Sequence, residues 1–70
     1  MIVLITGSNG LLGQKLVHKL RGAAVNLVAT SIGENRISIK EGYRYYNLDI
    51  TNQQEVNELL NNIKPDIVIN

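Results

Sequence analysis

Residues Gly7-Ser8-Asn9-Gly10-Leu11-Leu12-Gly13 place three glycines at i, i+3 and i+6, between the apolar run Ile2-Val3-Leu4-Ile5 and a periodic apolar segment that begins at Leu11. In such a turn each glycine has a separate task. Gly7 permits a tight exit from a strand, Gly10 lets the backbone approach a pyrophosphate with no Cβ in the way, and Gly13 lets the next helix lie close on the sheet. Unpaired N–H groups at the start of that helix then face the anion, and their partial positive charge favours phosphate without a lysine or arginine. The whole stretch, Leu11 and Leu12 included, is a candidate phosphate-binding segment. Ser8 and Asn9 either contact the phosphate or serve the turn, and both roles are compatible because the loop backbone carries most of the binding. A flexible turn would contain the same glycines, but a strand before them and a helix after them are the context that dinucleotide binding demands. A P-loop is excluded, since no Lys-Ser or Lys-Thr pair follows the glycines.

The elements that must position this turn can be read along the chain. Ile2 to Ile5 is continuously apolar and rich in β-branched residues, the pattern of a strand buried on both faces. Leu12, Leu16 and Leu20 recur at intervals of four with Val17 beside them, which predicts a helix over 11–21 with that stripe toward the sheet and Gly22 as its terminator. Val25 to Ala29 reads as a second strand, Ser31 to Gly42 as a mostly polar loop, and Arg44 to Leu48 as a third strand. Thr51 and Gln54 have the spacing of a capping box, and Val56, Leu59, Leu60 and Ile63 form one apolar stripe on the helix that follows. Pro65 ends that helix, and Ile67-Val68-Ile69 is a fourth short strand. The order β-α-β-loop-β-α-β predicts an α/β fold: a Rossmann-like parallel sheet with flanking helices and right-handed crossovers, a partial doubly wound fold. Seventy residues leave the second face of that sheet short of cover, as expected of the front portion, 1–70, of a longer protein.

Composition narrows the rest. The chain is too short for two cores, which need roughly 100 residues or more. With no cysteine, disulfides, thiolate zinc sites and Cys nucleophiles are excluded, and a reducing, cytoplasmic setting is the expectation. Seven basic residues against six acidic ones are scattered without a dense cluster, so no nucleic-acid footprint is expected. The longest purely apolar run, Met1 to Ile5, has five residues, so neither a membrane span nor a signal peptide is expected in this sequence. His18 lies away from the apolar stripe with no Asp, Ser or Cys neighbour and reads as a surface residue. Glu55 and Glu58 sit opposite the second helix's stripe with no histidine beside them, so no metal site is expected. The tyrosines 43, 45 and 46 suit strand packing, because base stacking would need a basic patch.

Ile5-Thr6-Gly7-Ser8-Asn9-Gly10-Leu11-Leu12-Gly13 resembles the T-G-x-x-G-x-x-G opening of the extended short-chain dehydrogenase/reductases. Leu48-Asp49-Ile50-Thr51 resembles that family's segment after the third strand, where the Asp is associated with the adenine and the next residue's backbone lies against the ring. Lys64-Pro65-Asp66-Ile67-Val68-Ile69-Asn70 resembles the stretch leading into its N-A-A turn, and with the compact spacing it is most similar to the dTDP-4-dehydrorhamnose reductase branch. The resemblance covers essentially all 70 residues. It implies the cofactor-binding segment of an NAD(P)-dependent oxidoreductase that reduces a keto group on a nucleotide sugar. The pyrophosphate would lie at Gly7 to Gly13 and the adenosine near Ser31, Asp49 and Ile50. Its partners would be the dinucleotide and a nucleotide-sugar-like substrate of the full-length parent, with room for a homodimer.

Two departures bear on that expectation. NAD-preferring members carry an Asp or Glu about 20 residues after the glycines, to bond the ribose 2′-OH, where this chain has Thr30-Ser31. Ser31 and Arg36 suit a 2′-phosphate instead, which favours NADP while leaving NAD open; a solvated loop residue is an equal reading of Arg36. The family's catalytic Tyr-x-x-x-Lys pair is missing, since Tyr43, Tyr45 and Tyr46 are followed four positions on by Asn47, Asp49 and Ile50. No residue of this segment is therefore assigned a catalytic role, and the segment alone is expected to be inactive. A noncatalytic dinucleotide sensor or regulatory subunit is the alternative.

Overall fold

The computed structural model describes residues 1–70, with elements β1 (Ile2–Thr6), α1 (Leu11–Leu20), β2 (Asn26–Ser31), β3 (Arg44–Asn47), α2 (Gln53–Ile63) and β4 (Ile67–Ile69). All four strands join one parallel sheet in the order β3-β2-β1-β4. The most apolar strand, β1, takes an interior place, with Leu4 opposite Val28 on one side and Val68 on the other. Side chains alternate across the pleat, so Val3, Ile5, Leu27 and Ala29 line one face while Leu4, Val28 and Thr30 line the other. The expected Rossmann-like architecture is present, and right-handed crossovers explain its layering. Steps from β1 to β2 to β3 run one way along the sheet, and the return from β3 to β4 runs the other way. The first connections therefore share a face, and α2 must take the opposite one.

The first face is well closed. Val17 of α1 is fully buried against Val3, Ile5, Leu27 and Ala29. No helix joins β2 to β3; Ile37, in the middle of that connection, is buried in the same cluster and supplies the cover instead. The expected stripe of α1 needs a correction at Leu12, which is 71% exposed. The face toward the sheet is Gly13, Leu16, Val17 and Leu20, spaced i, i+3, i+4 and i+7. Leu12 precedes the first of these by one residue, about 100° around the helix, and so points away.

The second face is thin, as the short chain implied. Val56, Leu59, Leu60 and Ile63 are half-buried and no residue of α2 is fully buried. A cavity of about 180 Å³ separates the helix from the sheet, lined among others by Leu4, Leu48, Val56, Leu60 and Val68. The Lys64-Pro65-Asp66 turn registers β4 on β1. Lys64 ends α2 in the left-handed conformation at φ 52°, its N–H donating to Leu60 O, and Pro65 prevents continuation. Asp66 then brackets the start of β1: its Oδ2 accepts from Ile2 N at 2.7 Å and its own N–H donates to Ile2 O at 2.8 Å.

The capping box expected at Thr51 and Gln54 does not form. Thr51 Oγ1 donates to Asp49 Oδ1 at 2.6 Å, and Gln54 Nε2 reaches forward to Glu58. The N-cap is Asn52, whose Oδ1 accepts from Glu55 N at 3.2 Å. The turn that begins at Asp49 draws the threonine back toward it, and the next residue is left in the extended conformation a cap requires. Asn52→Ala should therefore cost about 1 kcal/mol of stability in urea unfolding. Gln54→Ala should cost well under half of that, and equal losses would restore the Thr51–Gln54 box.

Candidate functional site

The sheet order reverses at β1, since β2 and β3 lie to one side and β4 to the other. In open parallel sheets such a reversal leaves a crevice beyond the carboxyl ends of the strands. The glycine turn sits at that end of β1. Gly7 adopts φ 71°, a left-handed conformation that costs other residues roughly 1–2 kcal/mol. A Cβ on Gly13 would stand 2.4 Å from Gly7 O and 2.7 Å from Ser8 Cα, so α1 begins closer to the turn than any side chain permits. The close approach required of Gly13 is thus to the backbone of the turn itself. Gly10 is less tight, with a Cβ there 3.3 Å from Gly7 O, and its N–H donates to that same carbonyl at 3.1 Å.

Two features distinguish this end of α1. Gly10 is its N-cap with no side-chain hydrogen bond, and no acidic residue occupies the first turn, whereas α2 has the Asn52 cap and Glu55. The first N–H groups of α1 consequently keep their donor capacity toward the crevice. Ser8 is fully buried and its Oγ has no partner within the chain, an exception to the rule that buried hydroxyls are bonded. The Ser8 N–H donates to Thr30 O at 2.9 Å and ties the turn to β2.

Beyond the turn, Gly7, Ser31, Ile32, Leu48 and Ile50 line a cavity of about 170 Å³. Ile32 and Ile50 are 68% and 60% exposed, large apolar groups left uncovered on its walls. The β2 side is held by hydrogen bonds from β3. Tyr45 Oη donates toward Gly33 O at 2.8 Å and Ser31 O at 3.1 Å, and Asn47 Oδ1 accepts from Gly33 N at 2.9 Å. Burial pushes the Tyr45 phenol above its ordinary 10.0, against a smaller downward pull from the Asn9 amide and the Arg36 charge. The phenol therefore stays a donor at neutral pH.

Of the residues singled out in the sequence, Gly7, Ser31 and Ile50 meet in this cavity, and Gly10 and Gly13 build the turn beside it. Leu11 and Leu12 stand exposed on the first turn of α1. Asp49 is not on the cavity wall: its Oδ1 accepts from Thr51 N at 2.9 Å and Thr51 Oγ1 at 2.6 Å, and these bonds hold its carboxyl below the usual value of 3.8. Asn9 differs from expectation in one respect, because its carboxamide is bonded to the 32–36 segment and cannot also serve a phosphate. Arg36 is exposed and lies outside the cavity wall. Sequence reading missed Ile32, Tyr45 and Asn47. A lone isoleucine just after a strand was a faint signal for the first; the other two act through a parallel pairing that spacing does not reveal.

Comparison with known proteins gives a consistent picture. The model of the family described as the RmlD substrate binding domain matches residues 1–70. An L-threonine dehydrogenase from Clostridium difficile is 28% identical with a TM-score of 0.82, the match covering 94% of this chain and 22% of that one. A short chain dehydrogenase from Leptospira borgpetersenii, solved with bound NAD+, is 29% identical with a TM-score of 0.82, covering 99% of this chain and 30% of that one. A dTDP-glucose 4,6-dehydratase from Bacillus anthracis, in complex with NAD, shares the fold at a TM-score of 0.77 and 15% identity, covering 97% of this chain and 25% of that one. The chain thus spans less than a third of the length of each of these structures. No curated protein matches it.

Two measurements check this geometry. Gly13→Ala should destabilise the protein by about 1–3 kcal/mol, because backbone must shift to admit the methyl group. Gly22→Ala, where a Cβ meets open space, should be neutral or slightly stabilising. By NMR the Asp49 carboxyl should titrate below 3.8, and Thr51→Val should move it part of the way back. Its folded-state value is the lower one, so its stabilising effect is present above the ordinary carboxylate range and lost as pH falls through the folded value.

Proposed function

Because this chain belongs to the RmlD substrate binding domain family, we propose that residues 1–70 are the cofactor-binding front of an NAD(P)-dependent oxidoreductase whose substrate is a nucleotide sugar bearing a keto group. The observation that carries the reading is the approach of Gly13 to Gly7 O, closer than a Cβ allows, at the carboxyl end of β1. That approach brings the uncapped N–H groups of α1 to the place where a pyrophosphate enters such a crevice, and the unpartnered Ser8 hydroxyl lies in the same turn. A dinucleotide fits these residues. Gly7 to Gly13 would bind the pyrophosphate through backbone donors, and the slot between Ile32 and Ile50 would take the adenine ring. Ser31 would stand on the adenosine side, and Asp49, its carboxylate bonded to Thr51, would shape the turn next to Ile50 from outside the wall.

When bound, the nicotinamide supplies hydride transfer, which is the cofactor's own chemistry. This segment's part is to anchor and orient: apolar walls exclude water from one end of the dinucleotide and backbone N–H groups neutralise its centre. It offers no Tyr-x-x-x-Lys pair, so proton transfer to the substrate oxygen would fall to residues outside 1–70. NADP is favoured over NAD because Thr30-Ser31 stand at the end of β2, where a carboxylate would bond a 2′-hydroxyl, and Arg36 offers charge for a 2′-phosphate. The nucleotide-sugar substrate draws its support from the family and from the Lys64-to-Asn70 motif.

Calorimetric titration with NADPH and NADH should show saturable binding of both, with NADPH the tighter. The isolated 1–70 segment should show no turnover of NADPH with a keto nucleotide sugar. Absence of saturable binding by either dinucleotide in the protein would remove the reading.

A further inference from the structure

One side chain joins the glycine turn to the β2–β3 connection. Asn9 Nδ2 donates to Glu34 O at 2.9 Å and to Ile32 O at 3.3 Å, while its Oδ1 accepts from Arg36 N at 2.8 Å. Both N–H groups of the carboxamide and one of the two acceptor positions on its oxygen are thereby used. Asn9 is itself fixed from behind, since its own carbonyl accepts from Gln14 Nε2 of α1 at 2.8 Å. Aspartate would replace both donors with acceptors facing two carbonyls, and serine or alanine would not span the gap. The connection is held from other directions as well. Tyr45 and Asn47 secure Ser31 and Gly33, and Lys40 Nζ donates to Asn35 O at 2.8 Å. Arg36 N, however, is bonded to Asn9.

The position of Arg36 gives this clamp a consequence. The carboxamide that accepts from Arg36 N also donates to the carbonyl of Ile32 on the cavity wall, so the Arg36 backbone is held to the glycine turn beside the Ser31 and Ile32 end of the slot. We propose that Asn9 is a positioning residue for nucleotide selectivity, fixing the Arg36 backbone to the phosphate-binding turn so that the guanidinium meets a 2′-phosphate on the adenosine ribose. This rests on the dinucleotide reading above. It gives Asn9 a role distinct from phosphate contact, because its amide faces the connection. An arginine on an untethered loop would lose ordering entropy on binding each ligand; the clamp removes part of that loss beforehand.

A double-mutant cycle tests this, with Asn9→Ala, Arg36→Ala and the pair, using adenosine 2′,5′-bisphosphate and AMP as probes that differ only in the 2′-phosphate. Asn9→Ala should weaken the bisphosphate about tenfold and AMP by less than about threefold, and the double variant should be no worse than Arg36→Ala alone. Amide exchange at Arg36 should quicken in Asn9→Ala without ligand. Equal losses for both probes, additive losses in the double variant, or unchanged exchange at Arg36 would each overturn the proposal. If Asn9→Ala does not fold, Asn9→Ser takes its place in the same cycle. A parent protein that binds neither probe would remove the dinucleotide reading and this proposal with it, and is distinguished from the other failures because the wild type itself is then silent.

Discussion

The contact on which the rest of the structure depends is that between the start of α1 and the Gly7 carbonyl, closer than any side chain at position 13 would tolerate. It determines which residues of α1 face the sheet. With Gly13 pressed against the turn, Leu16, Val17 and Leu20 follow it onto Val3, Ile5, Leu27 and Ala29, and Leu12 is turned outward. The same approach sets the first N–H groups of the helix at the carboxyl end of β1. Packing of the core and orientation of the anion-binding donors are therefore consequences of one backbone contact. A methyl group there would disturb both together.

A second constraint is the handedness of parallel connections. It commits α1 and the β2–β3 connection to one face and α2 to the other. The first face closes because a helix and a buried isoleucine share it. The second rests on one amphipathic helix with a cavity beneath it, and Ile67 and Val68 of β4 remain 43% and 47% exposed. The asymmetry accounts for where the firm geometry lies: the turn, the end of β2 and the slot are braced from the closed face and from β3.

Polar side chains here do more than decorate loops. Tyr45, Asn47 and Asn9 each bond backbone groups of the 31–36 segment, replacing the regular hydrogen bonds that a crossover helix would have provided. Such bonds contribute roughly 0.5–1.5 kcal/mol each, and their directionality gives a helix-free connection a defined shape. The Asp49–Thr51 turn serves α2 similarly, passing the N-cap to Asn52.

What the sequence by itself determined is whatever depends on local spacing. Strand and helix ends follow from apolar runs, glycines and Pro65, and the parallel order follows from their alternation. The glycines at 7, 10 and 13 were legible because the conformation and the close approach they permit are properties of the backbone a few residues away. Tertiary structure alone decided matters that compare residues distant in the chain: the outward turn of Leu12, the burial of Ile37, and the meeting of Ile32 with Ile50. The same holds for Asn9, whose amide partners lie 23 to 27 positions away. Spacing records what a side chain could bond. Only the register of β2 against β1 and β3 sets which of those groups come within reach, because hydrogen bonds and van der Waals contacts act over a few ångströms of space, not of sequence.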